Sequence, residues 1–397
     1  MLPPPQKTVT SLRDLAINGA PPMFPEPLHV GRPNIGNKDA FLAEASAMLD
    51  RGWLSNNGPL VQELERRVCE YIGVRHCVAM CNGTIALEIA TRALGLTGEV
   101  IVPSYTFVAT AHALQWQEIT PIFADIDPRT QNLDPAAVER MITPKTTGII
   151  GVHLWGRPAP VAELQALAEK YRLRLMFDAS HGFGCTHGGR RLGGFGECEV
   201  FSFHATKFFN TFEGGAVVTN DDELAEKMRL MRNFGFVHYD RVIYPGTNGK
   251  MTEVSAAMGL ANLESIDRFI AVNLSNYQRY REGLSNIANL ALIDYDEHEC
   301  NNYQYVVLAV GAKFPVTRDR LIEALHAEGV LARRYFWPGA HSMEPYRSHY
   351  PHAGLVLPNT ADVAQGVIVL PTGTTIGGEH IHGICSIVRA LAESHGS

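Results

Sequence analysis

Two side chains about thirty residues apart carry the chemistry that this sequence suggests. Lys207 follows the run Val200-Phe201-Ser202-Phe203-His204-Ala205-Thr206, among aromatic and small polar residues. An ammonium group is strongly hydrated and avoids apolar company. Held there, a lysine loses affinity for its proton, and the neutral amine becomes a nucleophile suited to Schiff-base chemistry. On position alone, a surface lysine in a hairpin is the simpler reading. Upstream, however, Leu173-Arg174-Leu175-Met176-Phe177-Asp178 reads as a buried strand ending in a carboxylate. A lysine that can form a Schiff base and an aspartate that can hold a pyridinium nitrogen are the two partners that pyridoxal phosphate requires.

The elements around these residues are short apolar strands alternating with amphipathic helices. Val200–Phe203 and Ala216–Thr219 are β-favouring runs, and Gly214 and Gly215 are expected to turn the chain tightly between them. Val78–Cys81, Val100–Pro103, Pro121–Asp125 and Thr147–Val152 read as further strands. Helices are expected at 37–50, from Pro59, over 85–94, from Asp134-Pro135 through Met141, and over 162–171. Such alternation predicts an α/β fold with a mostly parallel, buried sheet flanked by helices. Sites in such folds lie beyond the carboxyl ends of the strands. Gly83, Phe107, Asp178 and Lys207 all sit just past such ends, which predicts one shared pocket. Asn82-Gly83-Thr84 lies between a strand and a helix N-terminus, where free N–H groups and the helix dipole favour an anion. From the residues alone Phe107 reads as a core aromatic, His181 as a satisfied core or surface histidine, and Ser202 as a packed strand serine. Asp125 and Asp127 alternate along an extended segment, which points to capping of loops rather than a paired metal site.

The 397 residues suffice for two domains or one large domain with an appendage. With 46% hydrophobic and 19% charged residues the chain reads as an ordinary globular protein. A net charge of −7 argues against nucleic acid or an anionic membrane as the main partner. No apolar run reaches the length of a membrane helix, and the N-terminus shows no secretory pattern. Seven cysteines without a CxxC pair are expected to be reduced thiols in a cytoplasmic protein.

Ser202-Phe203-His204-Ala205-Thr206-Lys207, followed by Glu213-Gly214-Gly215-Ala216-Val217-Val218-Thr219-Asn220-Asp221, resembles the active-site signature of the DegT/DnrJ/EryC1/StrS family. These are pyridoxal-phosphate-dependent sugar aminotransferases of the aspartate-aminotransferase fold, fold type I. The resemblance runs from about residue 30 to near the C-terminus. It implies that Lys207 is the catalytic lysine, carrying the cofactor and moving protons, and that Asp178 holds the ring nitrogen. It further implies that Gly83, Thr84 and Ser202 hold the cofactor phosphate and that Phe107 stacks on the ring. His181, where many members have Gln, is expected to donate to the phenolic oxygen. Asn248 is expected to reach the partner's phosphate across a homodimer interface. Lys250 stands where Arg is common, and a solvated loop lysine is the simpler reading there.

The expected layout is an N-terminal arm over 1–30, partly disordered, a large cofactor domain over 31–270 and a small C-terminal α/β domain over 271–397. One long helix is expected from Met251 to Ile270, a second over about 271–289, and an alternating strand from Asn302 to Leu308. Arg333, Arg334, Tyr335 and His341 are candidates for sugar-nucleotide contacts. The segment His204–Gly215 resembles most the C4 aminotransferases of deoxyaminosugar biosynthesis, of the desosamine, viosamine and calicheamicin-sugar type. The activity implied is transfer of an amino group from L-glutamate to C4 of a nucleotide-linked ketosugar, dTDP-4-dehydro-6-deoxy-D-glucose, with pyridoxamine phosphate between the two halves. A C3 aminotransferase on the same scaffold and a non-catalytic cofactor-binding regulator are the alternatives.

Overall fold

A computed structural model describes residues 2–393. Met1 and residues 394–397, the ends of the expected arm and of the expected C-terminal domain, lie outside the described residues. Seven strands form the central sheet: β1 His76–Met80, β2 Glu99–Pro103, β3 Thr120–Ala124, β4 Thr146–Val152, β5 Arg174–Asp178, β6 Cys198–Ser202 and β7 Gly215–Thr219. Their order is β1-β7-β6-β5-β4-β2-β3. β7 runs antiparallel to both of its neighbours, and the other pairings are parallel.

These strands read as continuous apolar runs because both faces of the sheet are covered. On one face Val78, Val102, Ile150, Met176, Val200 and Val217 pack with helices α1 Gly83–Ala93 and α2 Ala109–Gln115. On the other, Ala79, Phe201 and Val218 meet helix Pro59–Ile72 and helix Glu253–Leu263, while Ile101, Ile149 and Phe177 meet helix Val161–Tyr171. Asp134 caps the short helix Pro135–Met141 as the sequence suggests. Asp125 and Asp127 are also caps. Asp125 accepts from the amides of Asn359 and Thr360, and Asp127 from those of Arg129 and Thr130.

A second, antiparallel sheet holds β8 Leu290–Leu292, β9 Val306–Val310 and β10 Val367–Leu370. The expected strand from Asn302 begins only at Val306. Asn302 instead spends its side chain on the carbonyls of His181 and Phe183, so the chain ahead of β9 belongs to the site. The expected helix from Met251 to Ile270 is two, Glu253–Leu263 and Ile266–Gly283, with Ser265 non-helical between them. Asn262, in the last turn of the first, bonds Gly36 and Asn210 and so fixes the break by tertiary contacts.

Residues 2–30 are an ordered arm. Leu15, Met23, Phe24 and Leu28 are buried in one cluster with Leu321, Val330 and the C-terminal helix Gly378–Ala392. Leu28 pairs with Val330. Buried Glu328 accepts from Lys7 Nζ at 2.9 Å and from the amides of Ala16 and Met23 at 2.7 Å each. The arm's apolar residues have no period, so they signal no helix or strand, yet each fills a separate pocket.

Candidate active site

Asp178 closes β5 with its side chain buried. Oδ2 accepts from the Thr110 hydroxyl at 2.8 Å and Oδ1 from the Ser180 amide at 3.1 Å. The carboxylate is thus fixed from two sides with lone pairs to spare. Lys207 lies in the loop between β6 and β7, where its amide donates to the His204 carbonyl at 2.8 Å. Gln304 secures the same loop by donating to the Thr206 carbonyl at 3.1 Å. Burial pushes the Lys207 amine down to about 8, and the charge of Asp178 opposes that only in part.

Both groups open into one cavity of about 500 Å³. One end is a cradle where β6, β7 and α1 converge. Asn82 caps α1 by accepting from the Ile85 amide at 2.8 Å, while among the described residues the amides of Gly83 and Thr84 have no partner. A Cβ on Gly83 would lie 2.9 Å from Ser202 Cβ. Gly215 serves close approach too, rather than the tight turn expected of it. A Cβ there would stand 2.7 Å from Gly83 N. Two free amides, a helix N-terminus and the Ser202 hydroxyl make a fitting seat for a phosphate.

Phe107 is not a core residue. It is 58% exposed at the mouth of the cavity, with Phe336 edge-on at 6.5 Å. A large exposed aromatic ring at the edge of the cavity is suited to covering a planar ligand. His181 lines the same cavity with its ring buried. Burial and the nearby Lys207 push it well below the ordinary range, so it is neutral.

Asn248 does not line the cavity; it lies exposed, bridged to Asn233. Lys250 is half-buried rather than fully solvated, bonded to Asn233 and set over the Phe234 ring at 4.8 Å. The Asn56-Asn57-Gly58-Pro59 turn starts a helix, and Glu253 caps it by accepting from Leu60 and Val61. Of the four sugar-nucleotide candidates only Tyr335 lines the cavity. Arg333 lies over the Tyr335 ring, Arg334 bonds Asp319, and His341 is buried against Ser104 and Ser342. Residue reasoning missed Thr110, Tyr305 and Phe336, which line or support the cavity. The segment Ser104–Thr110 after β2 and the aromatic run Arg333–Trp337 were visible signals for two of them.

A fold-type-I cofactor needs a buried carboxylate, a lysine of lowered proton affinity and an anion cradle around one cavity, and all three are present. The model of the DegT/DnrJ/EryC1/StrS aminotransferase family matches residues 36–389. The chain belongs to this family. A dTDP-4-amino-4,6-dideoxy-D-glucose transaminase of Shigella dysenteriae is 37% identical over 92% of this chain and 99% of its own. An enzyme of the same name from Escherichia coli is 35% identical over 88% of this chain and 95% of its own. The crystal structure of DesI in the presence of its TDP-sugar product superposes with a TM-score of 0.93, at 48% identity over 97% of this chain and 98% of that one. The protein is therefore a sugar aminotransferase of fold type I, and pyridoxal 5′-phosphate, which the cavity's residues fit, is its cofactor.

Proposed function

We propose that this enzyme transfers an amino group from L-glutamate to C4 of dTDP-4-dehydro-6-deoxy-D-glucose, in cytoplasmic deoxyaminosugar biosynthesis. The observation that carries the chemistry is the meeting of Lys207 and Asp178 in one cavity. The names of the Shigella and Escherichia relatives support a 4-amino product, and the DesI likeness supports a thymidine-diphosphate sugar.

When bound, pyridoxal phosphate supplies the electron sink for a proton shift between carbon atoms. Asp178, held by Thr110 and Ser180, keeps one face for the pyridine nitrogen and its proton. Lys207 anchors the cofactor, and once released it takes the proton from one carbon and returns it to another. Gly83, Thr84 and Ser202 seat the phosphate, and Phe107 covers the ring. His181 donates to the phenolic oxygen.

The active form is a homodimer in which Asn248 completes the partner's phosphate seat. Two features support this reading. Among the described residues the cavity wall holds no arginine, and Lys207 is its one lysine, so the anion end lacks a cation of its own. Leu42, Leu49, Trp53 and Leu54 also leave an apolar surface exposed in the single chain.

The test is a product assay by mass spectrometry with L-glutamate and dTDP-4-dehydro-6-deoxyglucose. The expected product is the 4-amino sugar, formed with one equivalent of 2-oxoglutarate. Turnover of the 3-keto isomer alone would move the assignment to C3, and no glutamate-dependent turnover of either sugar would favour a regulator.

A further inference from the structure

Trp155, in the turn after β4, has φ 62° and ψ 11°. This left-handed conformation is an outlier for a bulky residue and is held only where surroundings over-determine it. They do so here. The indole is fully buried, its Nε1–H donates to Gln131 Oε1 at 2.8 Å, and its ring stacks on Phe336 at 5.3 Å and 14°. The result of the strained turn is that the Trp155 backbone N–H points at His181 Nδ1, 3.2 Å away.

A ring nitrogen that accepts from an N–H carries no proton, so the neutral imidazole must hold its hydrogen on Nε2. The rest of the residue is equally fixed. Asn302 donates to the His181 carbonyl at 2.8 Å. Trp155 lies parallel to the imidazole at 5.9 Å and Phe336 at 6.0 Å, with Tyr305 tilted at 4.5 Å. The ionisable groups sharing the cavity are Lys207, Asp178, His204, Glu213, Tyr305 and Tyr335. Among the described residues none of these groups, and no other carboxylate, is bonded to the His181 ring to favour its charged form.

We propose that Trp155 is a positioning residue that locks His181 in the neutral Nε2–H tautomer, making His181 a fixed hydrogen-bond donor into the cavity and not a proton-transfer group. Proton movement then falls to Lys207. Burial and the Lys207 charge act in the same direction, disfavouring the imidazolium. The donor role rests on the cofactor placement proposed above; the lock itself rests on this chain's residues alone.

Protein labelled with 15N-histidine, cofactor-free and cofactor-loaded, reads the lock directly. The His181 signals are assigned by their loss in His181→Gln. The expected spectrum shows Nε2 protonated and Nδ1 bare, without change from about pH 6 to about pH 9. A proton on Nδ1, or titration within that range, overturns the lock. In Trp155→Ala the His181 signals are expected to show exchange between tautomers; a spectrum identical to the parent's would overturn the positioning role of Trp155. The donor role has its own reading in the visible band of the loaded enzyme. His181→Gln, which can still donate, should keep the pH midpoint of that band, while His181→Phe should raise it by about one unit. Equal shifts in both would overturn the donor role. The cofactor-free spectra do not involve the sugar or the cofactor, so a failed acceptor assay and a failed lock are separate results.

Discussion

Thr110 donates its hydroxyl to Asp178 Oδ2 across 2.8 Å, with both side chains buried. This bond joins the second residue of the helix Ala109–Gln115, which follows β2, to the carboxyl end of β5, two strands away in the sheet. With the Ser180 amide on Oδ1 it holds the carboxylate from two sides, and the lone pairs left over face the cavity. A hydrogen bond to a charged, buried acceptor contributes about 1.5–3 kcal/mol. Thr110→Val keeps the shape and removes the donor, so kcat should fall roughly ten- to a hundredfold while the fold is retained. Steady-state kinetics beside a thermal melt check this; full activity would show that Asp178 needs no such support.

The Lys207 amine, pushed down to about 8 from an ordinary 10.5, predicts a pH dependence of cofactor capture. Only the neutral amine attacks a carbonyl. The rate at which cofactor-free protein takes up pyridoxal phosphate should therefore rise with pH and level off above about 8. The same shift has a stability consequence. The folded state binds the Lys207 proton less tightly than the unfolded chain, so the cost of burying the amine is present below about 8 and fades as pH rises toward 10.5. Stopped-flow absorbance would read the loading rate; a rate still climbing steeply at pH 10 would place the amine in an ordinary environment.

At Gly83 the chain leaves no room for a side chain. Gly83→Ala sets a methyl against Ser202 and into the proposed phosphate seat. Cofactor affinity should drop about tenfold or more, with a smaller change in kcat at saturating cofactor. Equilibrium dialysis distinguishes this from a general loss of folding. Unchanged affinity would remove Gly83 from the site.

The arm offers a prediction about stability alone. Glu328 is fully buried and binds one ammonium and two amides of the first twenty-three residues. Glu328→Ala leaves these donors unpaired and should destabilise the protein by about 3 kcal/mol. Limited proteolysis should then cut ahead of Phe24. An arm that stays resistant would mean that Leu15 and Met23 hold it without Glu328.

Much of this was legible in the chain because the sheet is parallel and covered on both faces. Its strands stand out as apolar runs, and the residues lining the cofactor site lie at or a few positions past their carboxyl ends, as Asp178 ends β5 and Gly83 follows β1. Local sequence could not show what long-range contacts decide. Tyr305 reaches the cavity only because Asn302 holds the chain ahead of β9 against His181 and Phe183. Phe107 looks like core from its neighbours, and only the fold leaves it at the mouth. The arm was unreadable because its contacts lie with residues about three hundred positions away, such as Glu328. The break at Ser265 is likewise set by the bonds of Asn262 to distant backbone.

Lys207 is the amine that should carry the cofactor beside Asp178. Borohydride reduction of the loaded enzyme followed by peptide mass mapping tests this most directly. The pyridoxyl mass should sit on Lys207, and Lys207→Ala should show neither that adduct nor the visible absorption band. A label on another lysine, or a band that survives in Lys207→Ala, would contradict it.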